Sequence, residues 1–433
     1  MPDEDSHSAR AGALALMTGV LEDGVALADL TGRKTGAFAA LQPNDRARAQ
    51  RLATETLRHL RTCDQMLGPF LRMAPRLYVH NALRLATYEI LGTRAAAHGV
   101  VSAAVDLVRR AQPDSKAPGL VNAVLRNVAR RDPADWSSAP PASLPKPFRK
   151  PLVAAWGSKT VAAMEGVQAQ TPPLDLTLKD PAEAKVWASR LDARVLPSGS
   201  LRLDAGQHVS ALAGYDDGAW WVQDAAAALP AQCLGEIAGN RVLDMCAAPG
   251  GKTLQLVASG AAVTALDISE TRMARVQENL ARTGLTAQRV VADALEFKPD
   301  EQFDAILLDA PCSASGTVRR HPDLPYLRDL NDLSGVVALQ ASLLDQAVAW
   351  LRPRGRLVYA TCSLMPSEGE AQAEAALARH PDLRQDDLSR FTVEFGLPEA
   401  CAVPGGGMRL RPDMWADEGG LDGFFIAAFT KLR

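Results

Sequence analysis

Apolar residues recur three and four positions apart through most of the first 130 residues. Ala49, Leu52, Ala53, Thr56, Leu60, Cys63 and Leu67 form one stripe, Val101, Val105 and Val108 a second, and Leu120, Val121, Val124, Leu125 and Val128 a third. That period places each set on one helix face. Pro43-Asn44-Asp45 and Pro118-Gly119 read as helix starts. No strand-like alternation intervenes, so residues 8–131 predict a compact all-α domain of about five to seven helices. Residues 132–151 hold six prolines and read as a linker. Residues 152–234 mix signals: LVAAWGSKTVAAMEGVQAQ is helical, while LDLTLKD, ARVLP and GAWWVQD are short strands, which together predict a small α+β subdomain. From 240 onward short apolar runs alternate with helical segments, the pattern of βαβ units and a parallel sheet. The runs are RVLDMCA (241–247), AVTALDIS (262–269), QRVVADA (288–294), FDAILLDA (303–310), GRLVYATC (355–362) and GFFIAAF (423–429). The expected division is therefore 1–131, 132–151, 152–234 and 235–433.

A length of 433 residues agrees with several domains. The chain is 47% hydrophobic and 22% charged, an ordinary globular composition, and its 5% aromatic content leaves the cores to Ala, Leu and Val. Net charge is −3, so affinity for a nucleic acid has to come from local basic patches. No run approaches the ~20 apolar residues of a membrane span. MPDEDSHSAR, residues 1–10, has three acids and no apolar region, so no signal peptide is expected. The six cysteines (Cys63, Cys233, Cys246, Cys312, Cys362, Cys401) form no CxxC pair and the seven histidines no HExxH. Free thiols, a cytoplasmic location and no metal site are expected.

The chemistry sits where the predicted strands end, since open α/β sheets bind ligands beyond the carboxyl ends of their strands. The first strand runs into Cys246-Ala247-Ala248-Pro249-Gly250-Gly251-Lys252-Thr253 and then a helix. Glycines there let a ligand approach the backbone at a helix N-terminus. A P-loop is excluded, because it needs glycine at 246 and has no place for Pro249. Asp267, Asp293 and Asp309 end the next three strands. A single acid at a strand end is commonly a turn former or cap. A glycine loop and three acids at successive strand ends describe a nucleoside cleft. Two thiols follow, in Asp309-Ala310-Pro311-Cys312 and Thr361-Cys362-Ser363. A lone cysteine is usually a small buried apolar residue. Two at neighbouring strand ends point to nucleophilic chemistry.

CAAPGGKT, DAPCSASGTVRRHPD, YATCSLMPSEGE and DGFF (422–425) closely resemble the RsmB (Fmu, Sun) family of bacterial small-subunit ribosomal RNA cytosine-C5 methyltransferases. GLVNAVLRNVAR (119–130) resembles the NusB-like RNA-binding domain that marks this family. The likeness spans essentially the whole chain. It implies an all-α NusB-like domain, a small α+β subdomain and an α/β Rossmann-like S-adenosylmethionine-dependent methyltransferase domain. It implies 16S rRNA or a small-subunit precursor as substrate, with cytosine 967 as the target, and a monomer with no membrane or metal partner. Residues 246–252 are then expected to cradle the methionine and ribose of S-adenosylmethionine, Asp267 the ribose hydroxyls and Asp293 the adenine edge. Asp309 lines both cofactor and base sites. Cys362 becomes the nucleophile and Cys312 the thiol that assists product release.

Cytosine C5 is too weakly nucleophilic to take a methyl group unaided. A thiolate adding at C6, with Asp309 near N3, makes it an enamine carbon. The base has to leave its stack to be reached. Arg109, Arg110, Lys116, Arg126, Arg130 and Arg131, with Asp114 as the acid among them, form the candidate phosphate-binding surface of the helical domain. Lys146, Arg149, Lys150, Arg319, Arg320 and His321 extend it. A charged helix face is commonly just solvated. A 5-methylcytosine enzyme for tRNA or another rRNA site, and a non-catalytic RNA-binding assembly factor, remain the alternatives.

Overall fold

The computed structural model describes residues 4–113, 115–140 and 143–433. Asp114 and positions 141–142 of the expected linker lie outside the described residues, as do the first three of the segment read for a signal peptide. The chain divides into two compact units: 1–150 with 161–169 and 320–329, and 151–160 with 170–319 and 330–433.

The first unit is helical, with α1 (Glu4–Leu21), α2 (Leu27–Gly32), α3 (Pro43–Arg58), α4 (Leu60–Leu67), α5 (Leu77–Thr87), α6 (Ala97–Ala111) and α7 (Ala117–Val128). Proline opens α3, where its missing N–H costs nothing. The stripe from Ala49 to Leu67 is buried throughout, although the helix breaks at His59. On α6 the buried face is Val100, Ala103, Ala104, Leu107 and Val108, so Val101 and Val105 flank it rather than form it. On α7, Val121, Val124, Leu125 and Val128 are buried and Leu120 is exposed. Each fully buried Val or Leu contributes about 1.5–3 kcal/mol.

The expected linker is largely helical. It contains α8 (Pro133–Ser137) and the start of α9 (Lys146–Trp156), which is followed by α10 (Ser158–Gln168) after Gly157. Pro133 and Pro147 sit in first turns, where proline is tolerated. Pro151 lies inside α9 and removes one main-chain hydrogen bond, while Phe148 and Leu152 beside it are fully buried. Burial of that apolar face outweighs the proline count that argued against a helix.

In the second unit, β1 (Leu174–Leu178), β2 (Arg194–Val195), β3 (Leu201–Leu203) and β4 (Trp220–Val222) form an antiparallel sheet in the order β2-β3-β1-β4. Leu176, Leu201, Trp220 and Trp187 of α11 (Ala184–Leu191) fill its core. Three of these strands fall in the predicted runs; β3 and α11 are additional.

After α12 (Ala225–Gln232) come β5 (Arg241–Met245), α13 (Gly251–Ala258), β6 (Ala262–Asp267), α14 (Glu270–Thr283), β7 (Gln288–Val291) and β8 (Phe303–Asp309). Then follow α15 (Leu324–Leu327, in the helical unit), α16 (Ser334–Trp350), β9 (Leu351–Thr361), α17 (Glu370–Arg379), β10 (Leu383–Asp386), α18 (Ser389–Glu394), β11 (Met408–Leu410) and β12 (Phe424–Lys431). The large sheet runs β10-β12-β9-β8-β5-β6-β7, with β11 on β12. Strands β5 to β9 pair in parallel and β12 runs antiparallel to β9. The central strands are apolar on both faces. Val242 packs with Leu256, Leu307 and Val358, whereas Leu243 and Met245 pack with Ile306, Leu308 and Tyr359. The order reverses between β5 and β8, so the crevice lies at Met245 and Asp309.

Candidate active site

The loop after β5 turns sharply into α13. Cys246 and Gly250 have positive φ, 61° and 104°, and the Ala248–Pro249 peptide is cis. A Cβ at Gly250 would stand 3.2 Å from Val276 of α14, so the loop lies against that helix. Asp267, at the end of β6, is buried and accepts from Ala248 N at 3.1 Å and Ser269 N at 2.9 Å. Each of its oxygens thus holds one main-chain N–H, and it shapes the loop. Asp293 follows β7, half-buried, and caps a turn through Leu295 N at 2.8 Å. Asp309 ends β8 and pairs with Lys252 Nζ at 2.7 Å, and that ammonium lies 5.3 Å from the Phe424 ring centroid. Residues 246–252, Asp267 and Asp309 thus line one end of the sheet, as expected from their strand-end positions.

Asp244, inside β5, has no solvent contact. Burial pushes its carboxyl up to about 7, against the Thr253 hydroxyl that donates to it at 2.6 Å. Its other oxygen is without a hydrogen-bond partner among the described residues. Burial also pushes the Cys246 thiol up to about 12, so it stays protonated near neutrality.

The two remaining thiols meet. Asp309 of β8 is in register with Ala360 of the parallel β9, and Cys312 and Cys362 follow these ends. Their Sγ atoms are 3.4 Å apart. The hydrogen bond shared with Cys362, and then burial, hold the Cys312 thiol well above the ordinary range. Gly316 N donates to Cys362 O at 2.9 Å, and Gly423 N to Gly316 O at 2.8 Å. A Cβ on Gly316 would meet the Gly423 carbonyl at 2.1 Å, so the DGFF segment closes directly onto the Cys312 loop.

Several residues of the site were not singled out in the sequence. Glu368 is fully buried and accepts from Ser313 N (2.8 Å), Ser313 Oγ (2.6 Å), Gln340 Nε2 (3.1 Å) and Ser363 Oγ. Serine directly follows both cysteines, and that repeated Cys-Ser pair was the available signal. Arg409 donates to Ser363 O and pairs with Glu370 at 2.6 Å, a link that only the register of β11 on β12 brings about.

The basic residues divide. Arg319 is 1% exposed, pairs with Asp224 and Asp422 and donates to Gly419 O at 2.7 Å. It is not a phosphate contact: the two buried acids need its charge, and no phosphate reaches it. Arg320 is half-buried, in the 320–329 segment of the helical unit. Arg131 pairs with Asp135 at 3.0 Å, donates to Met66 O and lies over the Phe70 ring. Arg110, Lys116, Arg126 and Arg130 are exposed, as is Arg109, which pairs with Asp106. A groove of about 790 Å³ between α6 and α7 is lined by His98, Asp106, Arg109, Asn122, Arg126 and Arg130 among others. Among the described residues no cluster of three or more His, Cys, Asp or Glu could hold a metal ion, and no helix is long and apolar enough to cross a membrane.

Residues 231–430 match the family described as 16S rRNA methyltransferase RsmB/F, and residues 7–130 the NusB family. The chain is 36% identical over 410 residues to ribosomal RNA small subunit methyltransferase B of Klebsiella pneumoniae, covering 90% of this chain and 91% of that one. It is 34% identical over 415 residues to the protein of the same name from Vibrio cholerae, with 90% and 91% coverage. The solved structure of a methyltransferase homolog from Pyrococcus horikoshii superposes with a TM-score of 0.55 at 27% identity, over 66% of this chain and 95% of that one. Fold, crevice and likeness together define a methyltransferase. Within that class the chain belongs to the RsmB family of ribosomal RNA small subunit methyltransferases, with the NusB-like all-α domain at its N-terminal end.

Proposed function

We propose that this protein methylates C5 of a cytosine in 16S rRNA, at cytosine 967, using S-adenosylmethionine and a transient bond from Cys362 to C6. The observation that carries this reading is the pair of thiols 3.4 Å apart, at the ends of two adjacent parallel strands beside the glycine loop. The donor set suits the methyl donor: carboxylates at successive strand ends match a ligand that bears a ribose diol and positive charge. Residues 246–252 would hold its methionine and ribose part, Asp267 the ribose hydroxyls and Asp293 the adenine edge. When bound it supplies an electrophilic methyl group. Cys362 attacks as thiolate, and Asp309, held by Lys252, faces N3 of the base. Addition at C6 moves the ring electrons toward C5, which then takes the methyl group. Transfer of the C5 proton to solvent lets the C5–H electron pair re-form the C5–C6 double bond as the bond from Cys362 to C6 breaks, with the sulfur leaving as thiolate and the aromatic ring restored. Cys312, whose Sγ lies 3.4 Å from that of Cys362, is placed to donate a hydrogen bond to the departing sulfur and assist release. The exposed arginines of the α6–α7 groove supply phosphate contacts in the NusB-like domain.

The two thiols are separated on one denaturing gel with labelled RNA. Cys362→Ala is expected to abolish methylation and leave no adduct. Cys312→Ala is expected to accumulate a methylated RNA–protein adduct, and the double variant none. A shifted band confined to Cys362→Ala would reverse the assignment, and full methylation by Cys362→Ala would end it.

A further inference from the structure

Glu368 lies behind the thiols and has no route to substrate. Its two oxygens offer about four acceptor positions. Four donors reach them: Ser313 N and Gln340 Nε2 on Oε1, and the Ser313 and Ser363 hydroxyls on Oε2. No acceptor is left for a proton in catalysis. What the carboxylate does is join two loops, because Ser313 follows Cys312 and Ser363 follows Cys362. Its own main chain is fixed to β9, since Tyr359 Oη and Thr361 Oγ1 donate to its carbonyl at 2.8 and 3.2 Å. Gln340 of α16 also donates to Pro311 O at 2.9 Å, so the same node reaches the residue before Cys312. Ser315 completes it, with its hydroxyl 3.1 Å from Ser313 Oγ and accepting from Leu364 N at 2.9 Å.

We propose that Glu368 is a positioning residue, a buried carboxylate clasp that ties Ser313 to Ser363 and so sets the distance between Cys312 and Cys362. The inference rests on the two-thiol reading above, and its first test is independent of that chemistry. Ordered side-chain networks fixed at every member specify one geometry, and a displacement of about 1 Å at a reacting group can cost about 10²-fold in rate. Replacing one oxygen by an amide, in Glu368→Gln, turns an acceptor of two hydroxyls into a donor while keeping the side chain's shape.

The direct readout is closure of the Cys312–Cys362 disulfide by diamide, which takes up the two electrons and two protons as the thiols join. It is followed by mass spectrometry on the full chain without RNA or methyl donor. Closure is expected to be several-fold slower in Glu368→Gln, compared at a temperature where circular dichroism shows both proteins fully folded. Methyl transfer is expected to lose about 10²-fold in kcat, with KM for RNA and for S-adenosylmethionine unchanged. A Ser313→Ala, Ser363→Ala double variant keeps the carboxylate and removes both hydroxyl clasps; it is expected to match Glu368→Gln in both readouts. It also replaces that variant should Glu368→Gln fail to fold. Wild-type closure rate in the folded variant overturns the proposal, as does a loss expressed in KM alone. A fully active Cys362→Ala would instead overturn the functional reading, so the two failures are distinct.

Discussion

At Asp244 a carboxyl is placed where only its protonated form is comfortable. Its pKa is raised by burial to about 7, against roughly 3.9 in an unfolded chain. Between those values the folded state binds the proton and the unfolded state does not. Stability from this group is thus complete below about pH 4 and is lost as pH rises through about 7. Asp244→Asn mimics the protonated form and still accepts from Thr253. The stability of Asp244→Asn relative to the parent should therefore rise from pH 4 to pH 7 and level off above it. Urea midpoints of the two proteins across pH 4–8 measure this, and parallel curves would mean that Asp244 ionises freely in the fold. The strand that carries this residue was legible as RVLDMCA. Its protonation was not, because its burial comes from β6 and β8 pairing on either side of it and from Thr253 of α13, all supplied by later parts of the chain. The same holds for Arg319. In sequence it sits in an Arg-Arg-His cluster and reads as a phosphate contact, and only the buried acids Asp224 and Asp422 show what its charge is for.

Elements with a strong period were legible, and their ends carried the chemistry. Six apolar runs became β5, β6, β7, β8, β9 and β12. The short β10 and β11 were not predicted, since each is three or four residues long and gains its pairing from β12. The turn from β5 into α13 can be tested as an element. Gly250 combines φ 104° with a Cβ position 3.2 Å from Val276. Gly250→Ala should cost of order 1–3 kcal/mol from backbone strain and weaken S-adenosylmethionine binding, because the loop has to open. Adding Val276→Ala removes the two side-chain contacts but leaves the Val276 Cα at 3.3 Å and the backbone strain, so binding should recover only in part. Thermal melts with and without cofactor read both effects. A neutral Gly250→Ala would show that the loop does not need this conformation. The helix α9 carries the opposite lesson: its second half was read as helix from 152 onward, but proline counting predicted no element over 146–151, and the burial of Phe148 accompanies the helix found there.

At the scale of the whole molecule, the units are not the consecutive blocks that the sequence suggested. The helical unit takes in 161–169 and 320–329 besides the first 150 residues. In the last of these segments Asp323 accepts from Leu27 N at 2.9 Å, and Tyr326 and Leu327 pack on the helical core. Residues that directly follow the Cys312 loop in sequence are thus built into the NusB-like unit, a long-range arrangement that local pattern could not disclose. Charge is organised at this scale too. A chain of net charge −3 binds a polyanion only through a local surface, and the α6–α7 groove gathers Arg109, Arg126 and Arg130 around one opening. Arg109 is partly neutralised by Asp106, so Arg126 and Arg130 are the stronger test. Changing both to Gln should weaken binding of 16S rRNA fragments. It should also make the plot of log affinity against log salt shallower by about 0.7–0.9 for each phosphate that is no longer neutralised. Arg131→Gln should leave that slope unchanged, because its guanidinium serves Asp135 and Met66. Cofactor affinity, measured by calorimetry, should stay at the parent value in both variants. An unchanged slope in the double variant would return this groove to an ordinary solvated helix face and move the RNA contacts elsewhere.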